Sequence, residues 1–213
     1  MTLHEPATFA TDCALAAIAG ALAWRLRPTT APQNLAAQWW RRTFILTTVS
    51  AFVGGAYHGF APEFSPLVVR VWWTNVLLTI CLTGATMDLA LLHEFSPTRW
   101  RARAATAIAL KLAAAGTAAV VYPKFVVAIA AYGLSLAAWA IAAASSCRPW
   151  SKWMLAAIGL SVIGALVQQM RWAPSPHFNH NDLYHVLQAL GLVAFFSEAR
   201  RMGGKRADVA LAR

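Results

Sequence analysis

Histidine is concentrated in one short stretch of this chain, residues 177–185, which reads HFNHNDLYH. Imidazole rings bind metal ions and transfer protons near neutral pH, so three of them beside a carboxylate suit either chemistry. A further histidine, His58, lies in the glycine-rich stretch GGAYHG at residues 54–59, at the end of an apolar run. Polar groups next to long apolar segments are costly in a bilayer and usually serve a function. The two motifs together predict one site.

Composition defines the environment of these histidines. Hydrophobic residues make up 59% of the 213 residues and charged residues only 12%, which is too apolar for an ordinary soluble domain. A bilayer core about 30 Å thick needs roughly 20 apolar helical residues, and prolines mark the breaks between such stretches. We therefore predict an all-α, seven-transmembrane helix bundle that forms a single integral membrane domain over residues 1–213, with spans near residues 8–25, 40–60, 66–92, 104–122, 124–146, 152–170 and 181–199.

Basic residues flank alternate connections and predict the orientation. The second, fourth and sixth connections carry only Arg70, Lys124 and Arg171, so the positive-inside rule places the N-terminus outside and the C-terminus in the cytoplasm. Such anchors account for the net charge of +10, and no nucleic-acid partner is expected. We expect an integral protein of a bacterial inner membrane whose partner is membrane lipid. The cytoplasmic anchors are Arg25, Arg27, Arg41, Arg42, Arg99, Arg101, Arg103, Arg148, Lys152, Arg200, Arg201, Lys205, Arg206 and Arg213.

Several other polar residues are interpreted structurally. Cys13, Cys81 and Cys147 fit no disulfide or zinc spacing and are expected to behave as small apolar residues. Lys111 is expected to extend its ammonium group toward the cytoplasmic side, with a retinal-type Schiff base as the alternative. Asp88 is expected to pair with a nearby arginine. The first span lacks a basic n-region, so we expect it to be retained rather than cleaved.

The predicted topology brings many polar residues to one layer near the outer surface. Asp12 lies within about a turn of the outer end of the first span, because a helix rises about 1.5 Å per residue. His58 ends the second span on the same side, and His185 lies near the start of the seventh. The other polar residues at this level are Asn75, Gln168, Gln169, Asn181, Asp182 and Gln188.

The start of the seventh span has recognisable helix signals. Asn179 or Asn181 is a suitable N-cap, and Asp182 in the first turn suits the positive end of the helix dipole. His180 and His185 are five positions apart and would diverge by about 140° on an ideal helix. His180 is therefore expected to reach a shared centre only from before the helix. The preceding His177 is expected to lie in the loop, and the glycines near His58 should allow close helix approach.

Three histidines with a carboxylate predict a zinc site with His58, His180 and His185 as ligands. Zinc lowers the pKa of bound water toward about 7 and polarises a carbonyl, and Asp12 or Asp182 is the candidate catalytic group for proton transfer. The predicted reaction is hydrolysis of a lipid amide or ester near the outer leaflet. One alternative is a b-type haem with two axial histidines. Another is a non-enzymatic lipid or small-molecule binder, or a receptor, with a histidine network.

The layout also resembles a known superfamily. Seven spans, His58 at the outer end of the second and Asn181-x-x-x-His185 opening the seventh look like the alkaline ceramidases and the progestin and adipoQ receptors. The resemblance implies a metal held by one histidine of the second span and a His-x-x-x-His pair of the seventh, with a serine and an aspartate nearby. His58 and His185 match directly, whereas Asn181 stands at the first position of the pair, Gly54 at the serine, and Asn75 at best at the aspartate. The motifs GGxYHG and HNDLYH are also similar to those of small bacterial membrane proteins, which supports treating them as a pair.

Overall fold

The computed structural model describes residues 1–26, 34–146 and 151–202, and these residues form seven long helices and no strand. The all-α fold is therefore confirmed. The helices are α1 (Pro6–Arg25), α2 (Leu35–Phe60), α3 (Pro66–Phe95), α4 (Thr98–Val121), α5 (Phe125–Ser146), α6 (Ser151–Gln169) and α7 (His180–Met202), with a 3₁₀ turn at Ala61–Glu63. The predicted anchors Arg27, Arg148, Lys205, Arg206 and Arg213 lie outside the described residues, as does Cys147.

Local sequence explains where the helices begin. Pro6 and Pro66 open α1 and α3, where the missing N–H of proline costs no helical hydrogen bond. Asn34 caps α2, because its side-chain oxygen accepts a hydrogen bond from the backbone N–H of Ala37 at 3.2 Å. Short connections then make neighbouring helices alternate in direction. We call the end of the bundle where α1, α3, α5 and α7 begin, and where α2, α4 and α6 end, the site end.

The core lies nearer the opposite end and is built around aromatic rings. Trp40 of α2 is fully buried and lies 5.3 Å from both Trp139 of α5 and Phe195 of α7, measured between ring centroids. Trp139 also donates a hydrogen bond from Nε1 to the carbonyl of Met87 on α3. In contrast, α4 buries only Ala119. The core cluster joins six helices, α1, α2, α3, α5, α6 and α7, while α4 packs on the outside.

Six of the seven helices, α1 to α6, are long and apolar enough to cross a membrane. The exception is α7, which carries Asp182 at its start and Glu198, Arg200 and Arg201 near its end. These charged residues lower its mean hydropathy, although α7 packs against the core through Leu192 and Phe195 among others. A membrane location is plausible from these six helices, and the seventh span and the orientation stay predictions.

The predicted partner of Asp88 was wrong. The Nζ of Lys111 on α4 forms an ion pair with the carboxylate of Asp88 on α3 and donates to Ser135 Oγ on α5 at 2.7 Å. Ser135 is fully buried and donates in turn to the carbonyl of Gly84 at 3.1 Å. The ammonium group turns inward because two neighbouring helices, α3 and α5, supply acceptors there. Asp88 consequently pairs with lysine rather than arginine.

Candidate functional site

The start of α7 is fixed by a capping box. Asn179 is the N-cap: its Oδ1 accepts hydrogen bonds from the backbone N–H groups of Asn181 at 2.7 Å and Asp182 at 3.4 Å. In return, Asp182 Oδ2 accepts from the N–H of Asn179 at 2.6 Å. This reciprocal pattern satisfies N–H groups that a helix start otherwise leaves free. His180 therefore occupies the first helical position rather than the loop.

The same carboxylate ties α7 to α1. Thr8 of α1 donates from Oγ1 to Asp182 Oδ1 at 2.8 Å and accepts from Asn179 Nδ2 at 3.1 Å. Asp182 is 0% exposed, and both of its oxygens are engaged within the protein. The structure thus places this candidate catalytic residue in a structural junction between two helices, where it holds the start of α7 in position.

One turn further along both helices, Asp12 meets His185. Asp12 Oδ1 lies 3.2 Å from His185 Nε2, and Thr11 Oγ1 lies 3.0 Å from His185 Nδ1. Both Asp12 and His185 are buried, and Asp12 Oδ2 has no hydrogen-bond partner among the described residues. The close approach needs Gly55 of α2, since a Cβ there would lie 2.7 Å from Asp12 Cβ.

The hydrogen-bonding partners of Thr11 and His185 determine where a proton lies in this pair. Thr11 Oγ1 has two neighbours: the carbonyl of Thr8, to which it donates at 3.0 Å, and His185 Nδ1. If its proton points to Thr8, Nδ1 must donate to Thr11, and if it points to His185, Nδ1 accepts. In either case a proton must lie between His185 Nε2 and Asp12 Oδ1 for the contact to be favourable. One proton therefore joins Asp12 Oδ1 and His185 Nε2 in a hydrogen bond.

The histidine of the second motif, His58, contacts a carboxylate that precedes α1. His58, near the end of α2, has its Nδ1 3.2 Å from Glu5 Oε2, while its ring lies against Tyr57 and Trp73. No hydrogen bond to His58 Nε2 is found among the described residues. Glu5 precedes α1 and is half exposed; its hydrogen bond with His58 lowers the pKa of the carboxyl below its usual value, against the effect of partial burial.

These groups surround a cavity of about 710 Å³ that is lined by every long helix except α4. The predicted site residues Asp12, His58, His180 and His185 all line it. Along α7 the lining runs from His180 to Phe195, fifteen residue steps, or about 22 Å at 1.5 Å per residue. Its site end is polar, and its deeper part is lined by apolar side chains that include Leu15, Val76, Ile80, Leu136, Leu192 and Phe195.

Other predicted residues divide between the cavity and the outside. Asn181, Gln168 and Gln169 line the cavity, as does Gly54, which stands where the resembling superfamily has a serine. His177 is an exposed loop residue. Asn75 is exposed too, and its Nδ2 donates to the carbonyl of Val71 at 2.8 Å rather than joining the site.

The side chains at this site are of types that bind zinc, but they are not arranged as zinc ligands. Imidazole and carboxylate are preferred zinc ligands, and three histidines and Asp12 share the cavity wall. Within the described residues, however, no group of three or more His, Cys, Asp or Glu side chains is placed to hold a metal ion. Both ring nitrogens of His185 already have hydrogen-bonding neighbours. The arrangement instead presents a polar surface that could bind the head of an organic molecule.

The fold and the site define a class: a helical bundle, suited to a membrane by six of its helices, with an elongated cavity that is polar at one end. The chain belongs to a family of unknown function, DUF6962, which matches residues 7–204. No curated protein matches the chain. No solved structure matches it either.

Proposed function

We propose that this chain is an integral membrane protein that binds one amphipathic molecule, a membrane lipid or a fragment of one, in the cavity between its helices. The observation that carries the proposal is the division of this cavity, about 22 Å long, into a polar end around His58 and His185 and a deeper apolar part. Its volume of about 710 Å³ falls within the usual range for small-molecule sites, about 300–1,000 Å³.

We infer that all seven helices cross the bilayer of a bacterial inner membrane, with the N-terminus and the site end outside. The distribution of basic residues supports this orientation. For α7, the segment from Leu183 to Ser197 contains no Asp, Glu, Lys or Arg, and its charged residues lie at the two ends of the helix, where the membrane interfaces would be.

Residues of α5 and α6 that line the cavity support access of a ligand from the bilayer. Val162 and Leu166 of α6 line the cavity, yet they are 47% and 54% exposed on the surface of the bundle. On the facing side, Gly133 of α5 also lines the cavity, and a Cβ there would meet nothing within 4 Å. At the other end the two helices are held together by Ser146 and Ser151, whose hydroxyl oxygens are 2.8 Å apart. We infer that the cavity opens between α5 and α6 toward lipid.

Two glycines offer a matched test. Gly133 and Gly159 both have free space where a Cβ would be, but only Gly133 lines the cavity. We expect Gly133→Phe to weaken binding of tritiated monooleoylglycerol by at least about tenfold, about 1.4 kcal/mol, because the ring occupies the cavity opening. Gly159→Phe should leave binding unchanged. Equal binding by both folded variants and the unsubstituted protein would contradict this location for the ligand.

A second candidate function is zinc-dependent hydrolysis of a lipid amide or ester. It is favoured by the presence of Asp12, His58, His180 and His185 on one cavity wall. Zinc bound there would supply an activated water and a polarised carbonyl, but it would require the histidines to rearrange. Elemental analysis of protein purified without chelator tests this. Stoichiometric zinc that is lost in a His58→Ala, His185→Ala double variant supports hydrolysis, and sub-stoichiometric zinc in the native protein removes the candidate.

A further inference from the structure

The segment that precedes α1, Thr2 to Glu5, lies across the end of α2, and we call it the N-terminal strap. The backbone N–H of His4 donates to the carbonyl of Gly59 at 3.0 Å. His4 Nε2 lies 3.0 Å from Glu63 Oε1, which also accepts from the N–H of Thr2 at 3.4 Å. The strap is therefore attached to α2 and its 3₁₀ turn by contacts that do not involve the cavity.

Glu5 is the strap residue that reaches a side chain of the cavity wall. Its Oε2 lies 3.2 Å from His58 Nδ1, and His58 lines the cavity. Neutral imidazole carries its proton on one nitrogen only, and a carboxylate can only accept a hydrogen bond. A neutral His58 beside ionised Glu5 must therefore carry its proton on Nδ1, which leaves the lone pair of Nε2 free. The two nitrogens point in different directions, so Nε2 is directed away from Glu5.

The neighbouring groups do not compete for Nε2. His185 is engaged with Asp12 and Thr11, and no described residue forms a hydrogen bond with His58 Nε2. At the polar end of the cavity His58 therefore offers a hydrogen-bond acceptor that the protein itself does not use.

We propose that Glu5 is a positioning residue for His58: it fixes the Nδ1–H tautomer, so that Nε2 accepts a hydrogen bond from a hydroxyl or amide N–H on the head group of the bound amphipath. This inference rests on the proposed lipid-binding function for its ligand, but the tautomer itself is a property of the protein alone. It selects ligands whose head carries a hydrogen-bond donor over those whose head can only accept.

The tautomer is measured by ¹⁵N NMR of ring-labelled histidine, with His58 assigned by comparison with His58→Gln, near pH 8 where a solvated imidazole is neutral. We expect Nδ1–H to dominate in the native protein. Glu5→Ala should lower the ratio of Nδ1–H to Nε2–H by about twofold, since it removes a hydrogen bond to a charged acceptor that solvent partly screens. Glu5 lies outside the helices and is half exposed, so the variant is expected to fold.

Glu63→Ala is the matched control, because it removes the other histidine–carboxylate pair of the strap without touching His58. It should leave the His58 tautomer as it is. An unchanged tautomer in Glu5→Ala, or an equal change in Glu63→Ala, would overturn the positioning role.

The ligand arm compares two single-chain lipids, monooleoylglycerol, which has hydroxyl donors, and methyl oleate, which has none. Glu5→Ala should weaken binding of the former by up to about twofold and leave the latter unchanged. An equal loss for both lipids would refute the donor preference. If neither lipid binds the native protein while the tautomer responds as expected, the proposed function fails and the positioning of His58 stands.

Discussion

Among the described residues, two polar clusters inside the bundle differ in whether all their hydrogen-bonding groups have partners. Around Lys111, the ammonium group contacts Asp88, Ser135 and the carbonyl of Ala131, and Ser135 donates a hydrogen bond to the carbonyl of Gly84. Neither Lys111 nor Asp88 lines the large cavity. A buried polar cluster with complete partners holds helices together, and here it attaches α4, which buries little else.

The cluster at the site end is incomplete and borders open space. Asp12 Oδ2 and His58 Nε2 have no partner among the described residues, although Asp12, His58 and His185 all line the cavity. Unsatisfied buried polar groups are costly and call for an explanation. Charge in the interior therefore does not by itself mark the candidate site in this protein. What distinguishes the site is unused hydrogen-bonding capacity beside a cavity.

The largest expected effect tests the satisfied cluster. Lys111→Met leaves the carboxylate of Asp88 buried without its cation, and breaking such a pair costs about 3–5 kcal/mol of unfolding free energy. A Lys111→Met, Asp88→Leu double variant should recover most of that loss, because no charge is then left unpaired. Unfolding of the purified proteins in one detergent measures both. A loss below about 1 kcal/mol in the single variant would contradict the role of this pair in attaching α4.

Next in size is a comparison of two aspartates by the same substitution. Asp182→Asn places an amide where both carboxylate oxygens accept hydrogen bonds, so we expect a loss of about 1.5–3 kcal/mol in unfolding free energy. Asp12→Asn should cost less than about 1 kcal/mol, since Oδ2 has no partner to lose. Lipid binding measured on folded protein should respond in the opposite order. Equal stability losses would show that the two carboxylates do not differ as the contacts indicate.

Two adjacent glycines test how closely α1 must approach α2 at the site end. A Cβ on Gly55 would lie 2.7 Å from Asp12 Cβ, whereas a Cβ on Gly54 would have its nearest neighbour 3.8 Å away, at Val76. Gly55→Ala is expected to cost about 1–3 kcal/mol because the helices must separate. Gly54→Ala should be neutral or stabilising by up to about 1 kcal/mol, since alanine favours helix. Similar thermal unfolding of the two variants would argue against a close contact at Gly55.

The sequence alone predicted the positions of the helices and the end of the bundle at which the candidate site lies. Apolar stretches separated by prolines predict helix positions well, and alternation of direction then brings Asp12 and His185 to the same end although they are far apart in the chain. Which side chains meet is a different matter. The arginine partner expected for Asp88 was wrong because depth along α3 does not reveal which neighbouring helix offers a cation.

Other contacts depend on geometry that no local pattern contains. Thr8 and Asp182 meet only because the capping box turns that carboxylate toward α1, so a residue predicted to be catalytic lies at a helix junction. Glu5 precedes the first helix, and its contact with His58 follows from the way the strap folds onto Gly59. The sequence did contain one indication of this contact. Glu5 is an acidic residue directly before Pro6, on the side of the membrane where His58 was expected.

The smallest expected effect concerns acidification of the strap. Because His58 lowers the pKa of Glu5 below 4.5, the carboxylate binds its proton less readily in the folded protein than in the unfolded chain. Its contribution to stability is therefore complete above about pH 4.5 and is lost as the pH falls through the lowered pKa. Glu5 is half exposed, so solvent screening limits the contribution to at most about 0.5 kcal/mol. Hydrogen exchange of the strap amides, compared in native protein and Glu5→Gln, should agree at low pH and diverge above about pH 4.5. Exchange curves that coincide at every pH would mean that Glu5 does not hold the strap to His58. The side chains at the site end would then form fewer stabilising contacts with one another than those of the Lys111 cluster do.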